Sequence, residues 1–372
     1  MPKYVTTLGS LILCLLFFSA NTLGQEATSE NNYPKDYKIY DFTLFGGASL
    51  LSPNQVIKID NNWEILLACL SEKTKYELRS MGITFTESQL HLLQLMRFLD
   101  IKDEKLKTRM PILGSMQTQA LRKKVRDLGV KLAPVLMSSI KDFKTEMKTI
   151  NREESTYPIL FSYVLDGLPW KFFYEDDLLS RSSQEEPIWF GLFWAAYPPR
   201  RYSSGTNSYD GRYASVSVTT GVDVSKELWE GFSLSNLKLI RDNFTEHGKL
   251  INEKLIKELE PYEIVDSSGN LSVPIIREHT DDKLFLICES IAKKVVKYFL
   301  RNMNLRELVK EFDFNAESEA LIVCYHEFMW ELLENLEENE IVEKPFFFYR
   351  PHEATYKDLG SLLFIIKKSV KE

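Results

Sequence analysis

The chain has 372 residues, 44% of them apolar and 27% charged, with a formal charge of −7. That composition belongs to a globular chain rather than a disordered one, and the modest negative charge argues against general coating of nucleic acid. Four cysteines and no Cys-x-x-Cys exclude a disulfide scaffold, a zinc ribbon and a dithiol redox motif.

Lys3 is the only charge before Glu26, and residues 8–20 form an apolar core. That core is shorter than the ~20 apolar residues of a spanning helix. With small residues at Thr22 and Gly24, it reads as a signal peptide over residues 1–24. The expectation is export, to a periplasm or the exterior, of a chain that starts at Gln25 and has no transmembrane segment. Cys69, Cys288 and Cys324 then remain, enough for one disulfide at most; each lies on an apolar helical face, where a buried thiol is the ordinary role. Residues 25–38 are polar and read as disordered.

The rest divides into an N-terminal helical module (39–155), an aromatic-rich β-containing middle (156–280) and a C-terminal helical module (281–372). The expected class is α+β, mainly helical. In the first module Trp63, Leu66, Leu67 and Leu70 recur at helical spacing up to a stop at Gly82. Thr86-Glu-Ser-Gln89 is a capping box that opens a second helix. After breaks at Pro111 and Gly114, a helix covers 117–128 and another follows Pro134 to Ile150. In the middle region, Ile159–Leu165 and Leu168–Tyr174 around Asp166-Gly167 predict a β-hairpin. Ala214–Thr220 alternates as a strand, and 262–265 with 271–276 predicts a second hairpin. The last module predicts helices over 281–301, 305–312 and 317–339. The last of these carries Leu321, Tyr325, Phe328, Leu332 and Leu336 on one stripe. A strand at 345–349 and a final helix from Thr355, with Leu359, Leu362, Leu363, Ile366 and Val370, complete the reading.

The helix Leu305–Phe312 followed by Glu317 onward, ending Leu336-Glu-Glu-Asn-Glu-Ile-Val-Glu-Lys-Pro345, resembles a winged-helix module over about 281–350. Residues 63–150 resemble it more loosely. The resemblance implies a recognition helix, and in that family such a helix commonly meets DNA. Here residues 317–343 hold nine Glu and no Lys or Arg, a surface that repels a polyanion. The expected partner is therefore protein, not nucleic acid.

Two stretches are candidate sites. Four of the six Trp lie at 170, 189, 194 and 229. The set Trp189, Trp194, Tyr197, Arg200, Arg201, Tyr202, Asn207, Tyr209 and Asp210 places aromatic faces beside polar groups, which suits a sugar or peptide ligand. The competing role is the core of a small β layer. The second stretch is basic: residues 102–131 carry nine Lys or Arg against three acids, including Arg122, Lys123, Lys124 and Arg126. Such a run is a solvated face, a docking patch for an anionic partner, or the counterpart of the acidic helix at 317–343 in the same chain or across a homodimer.

No motif assigns catalysis. His326-Glu-Phe-Met-Trp330 lacks the second His of a zinc-protease helix, Gly46-Gly47 lacks the rest of a phosphate-binding fingerprint, and no Gly-x-Ser-x-Gly elbow occurs. Neither a metal nor another cofactor is expected. The reading is an exported, non-enzymatic interaction protein with a protein or glycan partner. The alternative is a glycan-acting hydrolase that uses the aromatic stretch and carboxylates near it, such as Asp166, Glu175, Asp176 and Asp177.

Overall fold

The computed structural model describes residues 32–48, 51–179, 189–201, 204–210, 214–221, 239, 242–243, 249–260, 264–279, 281–345 and 360–367. The fold is α+β and mainly helical. No helix among the described residues is long and apolar enough to cross a membrane.

Strand β1 (Asp41–Ala48) leads into α1 (Pro53–Ile57) and a compact unit of six elements. These are α2 (Asn62–Ala68), β2 (Lys73–Thr74), α3 (Lys75–Ser80), α4 (Glu87–Leu95), β3 (Leu99–Lys102) and β4 (Lys105–Thr108). The three strands form one sheet in the order β2-β4-β3. Asp103 and Glu104, both at positive φ, make the two-residue turn between β3 and β4. Capping boxes start both middle helices: the backbone N–H of Glu77 donates to Thr74 Oγ1 at 3.2 Å and that of Gln89 to Thr86 Oγ1 at 3.1 Å. The first of these boxes ends the single helix expected up to Gly82, because Thr74 must be extended to cap.

Strand β5 (Ile112–Leu113) precedes α5 (Ser115–Thr149), one unbroken helix of 35 residues, about 50 Å long. The sequence predicted a break at Pro134. Pro134 is exposed, so the Val130 carbonyl that loses its intrahelical donor lies on the solvent side, where the loss is tolerated.

The hairpin predicted at 159–174 is instead helical. Helix α6 (Thr156–Ile159) continues as π-helical turns (Leu160–Leu165), and α7 (Leu168–Glu175) follows. A continuous apolar run is compatible with either a buried strand or a buried helix, and here it is buried on all sides. Pro169 was the missed signal: it fits the first turn of α7 but not the interior of a strand.

Strand β6 (Trp189–Ala196) pairs antiparallel with β1 and parallel with β5. Leu192, Trp194 and Ala196 face the main core, while Trp189, Phe193 and Ala195 face the core of the N-terminal unit. From Leu192 to Ala196 both faces are covered, which is why this part of the strand reads as an unbroken apolar run. Gly46 and Gly191 face each other at positive φ. A Cβ on Gly191 would lie 1.8 Å from the Phe45 carbonyl oxygen, so no other residue fits.

Strands β7 (Ser204–Asp210) and β8 (Ala214–Gly221), helix α8 (Glu253–Leu259) and strand β9 (Ile275–Arg277) follow. The expected second hairpin is reduced to a single bridge, Val265 to Leu271, and β9 pairs elsewhere. Helices α9 (Lys283–Asn302), α10 (Leu305–Phe312) and α11 (Glu317–Glu338) match the sequence reading closely. The strand expected at 345–349 falls, apart from Pro345, outside the described residues. Strand β10 (Gly360–Ile366) replaces the final helix. It lies between β8 and β9 in the order β7-β8-β10-β9. Leu362 and Phe364 pack on one side of it and Leu363 and Ile365 on the other. Two buried faces hid the alternation that marks a strand.

The stripe on α11 widens into near-complete burial from Ala320 to Met329. Gly129 lets α5 approach this helix, since a Cβ there would stand 3.3 Å from Leu332 Cα. The three cysteines are buried and free.

Candidate functional site

Two clusters of ionisable groups converge on α11. The first uses Glu327, Glu331 and Glu334, which the helical repeat aligns on one line. Arg200 follows β6 through a cis Tyr197-Pro198 bond and lies across this line. Its guanidinium bonds Glu327, Glu331 at 3.0 Å and Glu334 at 3.1 Å. Arg122 of α5 bonds Glu327 at 2.9 Å and the Pro198 carbonyl at 2.7 Å, with Asp41 Oδ2 at 3.5 Å. Asp41, at the start of β1, also accepts from the Arg200 backbone N–H.

The Arg200 side chain is 5% exposed and that of Glu327 8%. Burial alone would raise the Glu327 carboxyl, but Arg200 and Arg122 outweigh it and hold it at about 2. Burial raises the Asp41 carboxyl despite Arg200 and Arg122, and the Glu331 carboxyl despite Arg200. Burial would loosen the Arg200 proton; Glu327, Glu334 and Glu331 reverse that and hold it more firmly. Two guanidiniums are thus shared among four carboxylates. Neither guanidinium of the cluster is left over to bind an external anion, and the geometry is that of a clamp joining β1, β6, α5 and α11. Among the described residues no group of His, Cys, Asp and Glu could hold a metal ion.

The second cluster lies one residue along the helix. The His326 ring contacts Phe45, Trp170 and Trp194 at centroid distances of 5.8, 4.8 and 5.1 Å. Its Nδ1 donates to the Ile322 carbonyl at 2.7 Å, and its Nε2 stands 3.7 Å from Asp166 Oδ1. Asp166 also accepts from Trp170 Nε1 at 3.1 Å.

The aromatic residues singled out in the sequence do not form an exposed platform. Trp189 and Trp194 are buried, the first donating to the Met96 carbonyl at 3.0 Å. Tyr197 is half-buried against Tyr40 at 5.6 Å. Arg200 is in the clamp and Arg201 is exposed. Asn207, Tyr209 and Asp210 lie on β7, their side chains outside the described residues, as are Tyr202 and Trp229 altogether.

The basic segment meets the acidic helix within one chain. Arg122 pairs with Glu327 and Arg126 with Glu338 at 3.1 Å, both on α11, and Lys124 pairs with Glu311 of α10. Lys123 is exposed. The nine Glu stand out in the sequence, but the signal for the clamp is the i, i+4, i+7 spacing of three of them; Asp41 carries no signal.

The N-terminal unit presents a different surface. The α4 residues Glu87, Ser88, His91, Gln94 and Leu95 are exposed. Tyr76 and Met81, on α3 and at its end, are 79% and 54% exposed. Lys75 and Lys105 pair with Glu87 and Glu72 of the same unit, and Arg109, just after it, pairs with Asp100. No family model, curated protein or solved structure matches the chain.

Proposed function

We propose that the chain is an exported, non-enzymatic interaction protein whose N-terminal unit, residues 62–108, docks a protein partner. The observation that carries the reading is the exposed face of α4, which offers Ser88, His91, Gln94 and Leu95 and no Lys or Arg. The unit's order of helix, strand, two helices and a two-stranded hairpin supports the looser winged-helix resemblance of residues 63–150. In such a module the second of the paired helices and the hairpin form the docking side. A nucleic-acid surface needs cations free to meet phosphates; α4 carries none, and Lys75 and Lys105 of the unit are held by neighbouring acids. Exposed Leu95, Tyr76 and Met81 suit a protein surface better. Burial of Trp189 and Trp194 supports this reading over a glycan-acting hydrolase, which needs those rings open to solvent.

A photocrosslinking side chain at His91 or Leu95, in cells that make the protein, should give a discrete crosslinked species. The same group at Met116 on α5 should not. Equal labelling from all positions, or sequence-dependent duplex binding at physiological salt, overturns the docking reading. Export is tested separately: intact mass should place the mature N-terminus at or near Gln25, and a retained Met1 would remove that part.

A further inference from the structure

We propose that the solvent face of α5 and α9 seats the protein on an anionic lipid bilayer. The cations of α5 divide between two sides of the helix. Arg122, Lys124, Arg126 and Lys144 are held by Glu327, Glu311, Glu338 and the Ile341 carbonyl. Lys123, Lys131, Lys141 and Lys148 are exposed, and none of them makes an ion pair among the described residues. Lys123, Val130, Met137, Lys141 and Lys148 follow one another at intervals of 7, 7, 4 and 7 residues, so they form one exposed line along α5. The line is about 40 Å long.

Helix α9 widens this line into a face. Lys283 pairs with Glu146, and Lys294 donates to Ser139 Oγ at 2.6 Å. Contacts that advance along α9 while receding along α5 set the two helices antiparallel. Lys297 and Arg301, one and two turns after Lys294 and exposed, therefore run on towards Val135 and Lys131. Seven cations without a carboxylate partner thus stand against two exposed acids, Asp127 and Asp142, on a chain whose formal charge is −7. Among them lie Val130, Val135 and Met137, which are 47, 59 and 48% exposed. Lysine stems lie along such apolar groups while their heads reach phosphates. Cations around exposed aliphatic side chains, on a helix that lies flat, suit the surface of an anionic bilayer. An acidic glycan would match the charges but leave the valines and Met137 in water. The face shares no residue with the docking side on α4, so either can fail alone.

Vesicle flotation of the chain from Gln25, which keeps every described residue, tests the face. The protein should float with vesicles of phosphatidylcholine and phosphatidylglycerol and not with phosphatidylcholine alone. Binding should fall steeply from about 0.1 M to about 1 M salt, as the screening length drops from ~10 to ~3 Å. One surface cation changes partition about fivefold, so Lys131→Gln with Lys297→Gln should weaken binding about twentyfold. Lys254→Gln with Lys257→Gln, exposed on α8, removes the same charge and should leave binding within about twofold of the parent. Met137→Asp should weaken it about tenfold or more, by taking an apolar group out of the interface. Every substituted side chain is exposed, so folding is not at stake. Failure to float, equal loss from the α8 pair, or undiminished binding of Met137→Asp overturns the proposal. Retention on immobilised polyglutamate without flotation also overturns it, and assigns the face to an acidic protein instead.

Discussion

Arg200 and Glu327 are 127 positions apart in the chain, yet their side chains bond in a site where each is less than a tenth exposed. A buried guanidinium with three carboxylates costs much desolvation, which its partners offset only while it is present. Replacing Arg200 by Met leaves Glu327, Glu331 and Asp41 partly uncompensated. Arg200→Met should therefore lose ~3–5 kcal/mol of stability, the range for breaking a buried pair, measured by urea unfolding.

The same site sets an acid limit. The Glu327 carboxyl, held at about 2 against an ordinary 4.5, contributes stability that is present above pH 4.5 and lost as pH falls through about 2. The full contribution is on the order of 3 kcal/mol. The stability gap between the parent and Glu327→Gln should be constant above pH 4.5 and close progressively below it. A gap that stays constant to pH 2 would show that the carboxylate is not the group concerned.

Charge reversal on α5 should separate buried pairs from exposed ones. Lys124→Glu and Arg126→Glu break pairs whose partners are about half exposed. Each should cost no more than ~1 kcal/mol, less in high salt. Arg122→Glu places a second acid against Glu327 and Asp41 in the clamp and should cost several times as much. Unfolding midpoints at low and high salt test the ranking, and scattering should show an unchanged radius of gyration for the first two.

Two glycines at positive φ should respond differently to alanine. Gly82 has open space where a Cβ would go, so Gly82→Ala should cost ~1 kcal/mol for its backbone alone. Gly191→Ala must also displace the Phe45 carbonyl, which puts it among the large-effect substitutions, ~4 kcal/mol or more. Thermal unfolding of the two variants measures the difference directly.

Features encoded by a few consecutive residues were legible without the fold. The Thr86–Gln89 capping box opens α4 where expected, because both partners lie within one turn. The amphipathic α9 and α10 have near the expected bounds for the same reason. The opposite charges of 102–131 and 317–343 pointed to each other, since net charge survives without knowledge of geometry. Tertiary structure decided what depends on neighbours remote in the chain. Ile159–Leu165 reads as a strand and Gly360–Ile366 as a helix in the sequence because each is covered on both sides, which erases the periodicity that would distinguish them. Trp189 and Trp194 became core because β6 is sandwiched between two cores, a placement no local pattern contains. His326 and Asp166, set aside or weighed alone in the sequence, became a pair only when α11 brought its ring to the turn before α7.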